Sequence, residues 1–117
     1  MHRYKKLNIW KRSLALATEI YEVTSKFPQE EKYGLVSQLR RCVVSIGSNI
    51  AEVTGRNSKK DFQRFVNIAY SSSCELETQL IIAKNIELAS STDSKRLFNN
   101  INGLQKMIYT FSKKLDQ

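Results

Sequence analysis

Helical periodicity is the feature of the 117-residue sequence that most constrains its fold. Four segments carry apolar residues at every third or fourth position, the spacing that puts side chains on one face of an α-helix. None of these segments shows the strict alternation of a half-buried β-strand. The chain has one proline and four glycines, so few positions interrupt a helix. The sequence therefore predicts an all-α protein.

Turn and cap residues divide the chain into its helices. The first helix takes Asn8 as its N-cap and ends at Phe27-Pro28, because a residue that precedes proline is disfavoured in the α conformation. Ser58 and Asp61 form a capping-box pattern at the start of the third. The predicted helices span residues 9–26, 34–54, 59–88 and 93–115. Short connections favour antiparallel neighbours, so we expect a single domain, an antiparallel up-down-up-down four-helix bundle.

Helix 1 has two apolar series, although a helix needs only one to pack into a four-helix bundle. We assign to the core the series Trp10, Leu14, Ala17, Tyr21 and Thr24. The second series, together with isoleucines off the main stripe of helix 3, predicts a subunit interface: Ile9, Leu16, Ile20, Val23, Phe27, Ile68, Ile82 and Ile86. Surplus apolar surface on particular helices is typical of a self-associating protein, although a broad internal core gives the same pattern. We expect a homo-oligomer.

The positive charge is concentrated in two short windows. The formal net charge is +8, and residues 1–12 and 56–64 hold nine cations and one acid, while the other residues balance. An antiparallel bundle brings both windows and the end of helix 4 to one pole. The predicted cationic residues are Arg3, Lys5, Lys6, Lys11, Arg12, Arg56, Lys59, Lys60, Arg64, Lys113 and Lys114. Such a pole attracts polyanions by counterion release.

Two other interpretations of the charge exist. Basic residues also keep a small protein soluble, and a scattered excess would fit that role. A membrane surface is a second polyanion, but no helix pairs a strongly basic face with an exposed apolar one, so we expect no membrane partner.

Residues for catalysis or metal binding are scarce. The chain has only one histidine, His2. It therefore lacks the paired Glu-x-x-His metal sites of other bundles and the common histidine-dependent catalytic sets. Cys42 and Cys74 lie far apart in separate helices, and we interpret them as reduced core thiols. We therefore predict no enzyme activity, no metal and no cofactor. The sequence shows neither a signal peptide nor a membrane-spanning stretch, which favours the cytoplasm.

A polar series runs beside the apolar seams of helices 2 and 3: Gln38, Ser45, Asn49, Glu52, Ser72, Glu75 and Gln79. Together with Arg41 these residues could bind a small polar ligand. A hydrogen-bonded network that sets helix register is the commoner role of such a series, and we predict that role here.

The order and spacing of many residues resemble a known family. They are Leu7, Trp10, Phe27-Pro28, Glu31, Tyr33-Gly34-Leu35, Gln38, Arg40-Arg41, Ser45-Ile46, Asn49-Ile50-Ala51-Glu52, Gly55-Arg56, Ser58-Lys59, Phe62, Phe65, Ala69 and Glu75-Leu76-Glu77-Thr78-Gln79-Leu80. From about residue 7 to residue 85 the chain resembles the bacterial 23S rRNA intervening sequence proteins, or S23 proteins. Val53 and Ser71 stand where that family usually has glycine, and Gly47 where proline is frequent.

The resemblance implies a cytoplasmic four-helix bundle that assembles into a ring, typically a homopentamer. The family name is a genomic location and not an activity. The family is also similar to the accessory protein of diversity-generating retroelements, a basic pentamer that engages nucleic acid. By that analogy Arg40, Arg41, Arg56, Lys59 and Lys60 contact a polyanion.

Two hypotheses about function follow. The chain is a ring-forming oligomer that binds RNA or DNA, with RNA favoured, through its cationic pole. Alternatively it is a scaffold for a protein partner with no direct nucleic-acid binding.

Overall fold

A computed structural model describes residues 3–115, and of Arg3 the backbone alone. Over these residues the chain forms four long helices, two short 3-10 turns and no β-strand, so the all-α prediction is confirmed. The elements in chain order are a 3-10 turn Arg3–Lys6, α1 (Asn8–Thr24), a 3-10 turn Gln29–Glu31, α2 (Leu35–Val53), α3 (Lys59–Asn85) and α4 (Ser91–Leu115).

Capping hydrogen bonds mark where α3 and α4 begin. Ser58 Oγ accepts a hydrogen bond from the Asp61 backbone N–H at 3.1 Å, as the capping pattern predicts. Ser90 Oγ accepts one from the Asp93 N–H at 3.0 Å, and α4 therefore begins at residue 91 rather than 93. The prediction of Asn8 as an N-cap is wrong, because Asn8 is already the first helical residue of α1.

The residue that ends α3 is not of a type that usually terminates a helix. The helix ends at Asn85, although the periodicity predicts that it continues to Leu88. Glu87 adopts the left-handed conformation with φ of 63°, and the Leu88 N–H donates to the Ala83 carbonyl at 2.9 Å. This is the pairing of a Schellman motif, in which glycine usually takes the left-handed position. The predicted end is wrong because glutamate stands there.

Contacts between neighbouring helices establish their antiparallel order. Arg40, near the start of α2, donates to Thr24 at the end of α1. Gln63, near the start of α3, donates to the carbonyl of Ser112 near the end of α4 at 2.9 Å. A turn of five residues, 54–58, connects α2 to α3. Each helix packs against the next in the chain, α4 also packs against α1, and the rod measures 44 × 22 × 21 Å.

The four apolar seams meet in one core. Burial of each large aliphatic side chain contributes about 1.5–3 kcal/mol to folding. The largest side chains in the core come from every helix and are Leu16, Ile20, Val23, Leu39, Ile46, Ile50, Leu76, Leu80, Leu97, Ile101, Leu104 and Ile108. The apolar series that the sequence predicts for helices 2, 3 and 4 face this core, and their buried members include Leu39 and Ile46 in α2, Leu76 and Leu80 in α3, and Leu97 and Ile101 in α4.

The two faces of α1 are the reverse of those predicted. The α1 series assigned to a subunit interface is buried within the chain: Ile9, Leu16, Ile20, Val23 and Phe27. In the series assigned to the core, Leu14 is 44% exposed and Tyr21 is 43% exposed, whereas only Thr24 is buried. The prediction that Ile9, Leu16, Ile20, Val23 and Phe27 form a subunit interface is therefore wrong.

The packing of α1 on α2 accompanies the reversal. A Cβ at Gly47 would lie 2.9 Å from Ser13 Oγ, so Ser13 of α1 packs directly on the backbone of α2. Ser13 is itself buried and donates to the Trp10 carbonyl at 2.7 Å. Both apolar series have heptad-like spacing, so spacing alone does not select which of them turns inward.

The three predicted interface isoleucines of α3 have a different environment. Ile68, Ile82 and Ile86 are exposed on the surface of the single chain. Their part in a subunit interface stays a prediction.

The helices differ in length, and the difference appears at one end of the rod. Lys26 pairs with Asp93, so the end of α1 lies beside the start of α4. Because α1 has 17 residues and α4 has 25, α4 extends beyond the start of α1. The 3-10 turn that precedes α1 packs against α1 and α2, with the Tyr4 ring edge-on to Trp10 at 5.2 Å. Over residues 3–115, no helix has the length and apolar character needed to cross a membrane.

The Gly47–Ser13 contact makes a prediction about stability. Gly47→Ala should lower the free energy of unfolding by about 1 kcal/mol, because crowding in a packed interior costs about 1–3 kcal/mol and the helix propensity of alanine offsets about 1. Ser13→Ala removes the oxygen with which the new methyl group collides. In that background Gly47→Ala should be neutral or stabilising. Denaturant unfolding of the wild type, both single variants and the double variant measures the coupling, and additive effects would contradict the contact.

Candidate functional site

One end of the rod collects most of the predicted cations. Gln63 and Ser112 join the start of α3 to the end of α4 by two hydrogen bonds, at 2.9 and 3.0 Å. Tyr4 lines a groove with the C-terminal half of α2, which places the N-terminal turn at the same end. We name this end the cationic pole and define it by Lys5, Lys6, Lys11, Arg12, Arg56, Lys59, Lys60, Arg64, Lys113 and Lys114. Arg3 is also predicted there, but its side chain lies outside the described part of the chain.

Aromatic and acidic residues hold the arginines of the pole in place. Arg56 and Arg64 each lie over the ring of Phe65, with the guanidinium carbon 4.6 Å from the ring centroid. Arg56 also pairs with Glu52, and Arg64 Nε lies 3.8 Å from Asp61 Oδ1. Cation–π contacts fix a guanidinium without neutralising it. Glu52 and Asp61 thus compensate only part of the charge of the ten cations that define the pole.

Arg12 shows how the first half of α1 contributes to this surface. A Cβ at Gly103 would lie 3.2 Å from Arg12 Nη2, so the guanidinium lies against α4 at a position without a side chain. Lys11 and Arg12 are both exposed. The basic surface therefore continues from the tip of the rod along the side where α1 meets α4.

Arg40 and Arg41 do not belong to the pole. Arg40 Nε donates to Thr24 Oγ1 at 3.0 Å, Nη2 donates to the Tyr21 carbonyl at 3.3 Å, and the guanidinium lies over the Tyr21 ring at 4.4 Å. At a rise of 1.5 Å per residue, Arg40 lies about 20 Å along the helix axis from Val53 at the end of α2, and Arg56 lies in the turn beyond it. Arg40 ties α2 to the end of α1, and Arg41 is exposed beside it. The structure separates the two arginines from the other predicted cations.

The opposite end of the rod has ion pairs that balance its charges. Asp93 Oδ2 lies 3.2 Å from Lys26 and Asp93 Oδ1 lies 3.1 Å from Arg96, which also contacts Glu19 at 3.1 Å. The hydrogen bond from Lys26 lowers the pKa of Asp93, and the hydrogen bond to Glu19 raises the pKa of Arg96. Lys26 and Arg96 therefore meet acids, whereas the excess positive charge falls in the segments that form the cationic pole.

The predicted polar series forms a cluster between α2 and α3. Ser45 Oγ and Ser72 Oγ are 2.9 Å apart, and Asn49 Nδ2 donates to the Ser45 carbonyl at 2.8 Å and to its Oγ at 3.1 Å. Further along, Cys42 Sγ lies 3.6 Å from Gln79 Oε1. Two members of the series stand apart, since Glu52 pairs with Arg56 and Gln38 is exposed. The cluster joins two helices and leaves no enclosed space for a ligand between Ser45 and Ser72.

Within residues 3–115, histidine, cysteine, aspartate and glutamate side chains nowhere gather into a group of three that could hold a metal ion. His2 lies outside the described residues.

A family model for the 23S rRNA-intervening sequence proteins matches residues 5–110. The chain belongs to this family. The match covers all four helices except the last turns of α4, and it includes the part of α4 in which the sequence shows only a heptad pattern.

A solved structure of an S23 protein supports the same fold. The 1.70 Å crystal structure of a protein of unknown function from the S23 ribosomal protein family of Bacteroides thetaiotaomicron VPI-5482 superimposes with a TM-score of 0.81. The two chains are 24% identical, and the alignment covers 90% of this chain and 98% of the other. No curated protein is detectably similar to the chain.

Sequence reasoning about this S23 protein missed the environment of Cys42. Burial raises the pKa of the Cys42 thiol to about 11, and the nearby negative charge of Glu75 acts in the same direction. The thiol therefore stays protonated near neutral pH and is a poor nucleophile. The proximity of Glu75 cannot be read from the sequence, because it depends on the register of α3 against α2.

The raised pKa of Cys42 makes the stability of the fold depend on pH. The pKa of Cys42 in the folded protein, about 11, is above its ordinary value of 9.0, so this residue stabilises the fold below pH 9, and the contribution is lost as pH rises through 11. The wild type should lose stability relative to Cys42→Val between pH 8 and pH 10.5. Thermal unfolding of both proteins at the two pH values measures the difference. An equal difference at both values would contradict a raised pKa.

Proposed function

We propose that this S23 protein is a non-enzymatic nucleic-acid-binding protein that acts through its cationic pole as a ring-shaped oligomer. The observation that carries the proposal is the collection of ten basic side chains from three sequence-distant segments at one end of the rod and, for Arg12, on the adjoining side against α4. Such a surface binds polyanions chiefly through phosphate contacts, largely independent of sequence and strongly dependent on salt. We propose RNA ahead of DNA as the ligand; phosphate contacts of this kind are available in both.

The geometry of the pole suits phosphate recognition. Lys5, Lys6 and Lys60 are exposed and reach outward from different segments, so they can neutralise neighbouring phosphates. Arg56 and Arg64 are held against Phe65, which lowers the entropy lost when they bind a phosphate. A flexible cluster of lysines alone would lack this preorganisation.

Exposed apolar residues support self-association. Ile68 and Ile82 lie on α3 and Ile86 directly follows its last residue, and Leu14 and Val44 lie on a separate surface where α1 meets α2. Two different apolar surfaces on one chain favour a head-to-tail contact, which closes into a ring when the rotation permits. A cyclic ring turns the same end of every copy in one direction, so the poles would combine into one basic face with higher avidity. The expected subunit number, five, rests on the family resemblance.

Charge reversal at the pole tests the binding. Lys5→Glu, Lys60→Glu and Lys114→Glu together should weaken RNA binding at 50 mM salt about tenfold or more and flatten its dependence on salt, because phosphate contacts are lost. The matched control reverses three exposed lysines of the opposite end, Lys32, Lys84 and Lys95. Fluorescence anisotropy of a labelled RNA across a salt series measures both proteins.

The two charge-reversed proteins carry the same net charge. Equal loss in both would show attraction to overall charge rather than to the pole. Undiminished binding by the pole variant would remove the proposed site.

A second prediction concerns assembly. Ile82→Lys should reduce the particle mass in light scattering to that of a single chain or a smaller oligomer, because it puts a charge into an apolar contact. Asn99→Lys, an exposed change on α4, should leave the mass unchanged. An Ile82→Lys protein of unchanged mass would exclude this surface from the interface.

The same exposed surfaces favour one alternative, a scaffold that binds a protein partner. The groove between α1 and α2, about 300 Å³ and lined by Trp10, Leu14, Val44 and Ala51, gives such a partner a largely apolar surface. The scaffold function predicts that a partner copurifies after nuclease treatment and that pole variants retain it.

A further inference from the structure

A groove between α3 and α4 carries two exposed tyrosines that do not belong to the buried apolar series. Tyr70 is 41% exposed and Tyr109 is 56% exposed. Both rings line two adjoining cavities, of about 370 and 170 Å³. An exposed aromatic side chain can offer a ring face to a ligand, and Lys113 lies over one face of the Tyr109 ring.

The remaining lining of the groove is basic and amide-rich. The larger cavity also contains Asn102, Gln105 and Lys106, and the smaller one contains side chains that include Asn67 and Lys113. None of the described residues that line the two cavities is acidic. Glu77 lies nearby, where it accepts a hydrogen bond from Gln105 Nε2 at 3.4 Å.

The groove is continuous with the cationic pole. Lys113 belongs to the pole, and its Nζ lies 5.2 Å from the centroid of the Tyr109 ring. Ser112, which also lines the smaller cavity, is hydrogen-bonded to Gln63 at the start of α3. A chain of phosphates that contacts the pole can therefore continue into the groove.

We propose that this groove is a site for single-stranded nucleic acid, in which bases stack on Tyr70 and Tyr109. Lys106 and Lys113 meet the flanking phosphates, and the amides of Asn102 and Asn67 bond to base edges. The inference rests on the proposed function and names the form of nucleic acid that the protein selects. Bases in a duplex are already stacked and paired, so only an unpaired strand can use the tyrosines.

The chemistry of the groove favours a nucleic-acid strand over an apolar helix. A helix that docks in a groove needs a continuous apolar floor with anchors at every third or fourth position. Here lysine and amide groups interrupt the apolar surface on both sides of the tyrosines. The groove also faces away from Ile68, because two residues along an α-helix turn the side chain by about 200°.

Binding of matched single-stranded and duplex probes tests the inference. The probes are a fluorescein-labelled 12-nucleotide oligouridylate and a 12-base-pair RNA duplex, at 50 mM salt. Tyr70→Leu and Tyr109→Leu should each weaken binding of the oligouridylate about tenfold and change binding of the duplex less than twofold. Tyr70→Phe and Tyr109→Phe keep the ring and should bind as the wild type does. Tyr33→Leu is the control for loss of an exposed tyrosine elsewhere, since Tyr33 is 88% exposed near the opposite end.

A measurement on the wild type avoids dependence on the folding of the variants. An oligouridylate that carries 4-thiouridine, irradiated in the complex and mapped by mass spectrometry, should cross-link at Tyr70 or Tyr109. Cross-links confined to other surfaces would overturn the inference.

The outcomes separate this inference from the proposed function. If the leucine variants bind the oligouridylate as the wild type does, or lose both probes equally, the groove is not a single-strand site, while salt-sensitive binding at the pole stands. If the wild type binds neither probe at 50 mM salt, both proposals fail.

Discussion

The mutual burial of four apolar seams is the constraint on which the rest of the structure depends. Once each helix packs against two neighbours in antiparallel order, the two ends of every helix are assigned to opposite ends of the rod. The start of α1, the turn at residues 54–58 and the end of α4 therefore meet, and so do their cations. Concentrated like charge destabilises a compact state. Hydrophobic burial outweighs that repulsion, and Phe65, Glu52 and Asp61 reduce it locally.

The fold was predictable because its signals are local. Heptad spacing identifies the seams of helices 2, 3 and 4, and a serine three residues before an acid marks the start of α3. The orientation of α1 was not predictable, because both of its apolar series have the right spacing. Which series is buried depends on how α1 packs on α2, where Ser13 approaches Gly47. The sequence of α1 alone does not contain that contact.

The candidate site was predictable in part. Clusters of charge in the sequence, combined with antiparallel order, are sufficient to assemble the cationic pole. The same order places Arg40 and Arg41, near the start of helix 2, at the opposite end, and only the family resemblance grouped them with Arg56, Lys59 and Lys60. Tyr70 and Tyr109 lie off the seams in separate helices, and only the pairing of α3 with α4 brings them into one groove. An aromatic residue at an exposed helical position was the one available signal.

The short N-terminal turn has a consequence for how this protein can vary. Residues 3–6 pack against α1 and α2, and they are held by local contacts such as that of Tyr4 with Trp10. Lys5 and Lys6 point away from the core. Substitutions there can retune the electrostatic potential of the tip without altering any interior side chain, so the strength of ligand attraction and the stability of the bundle are free to evolve independently.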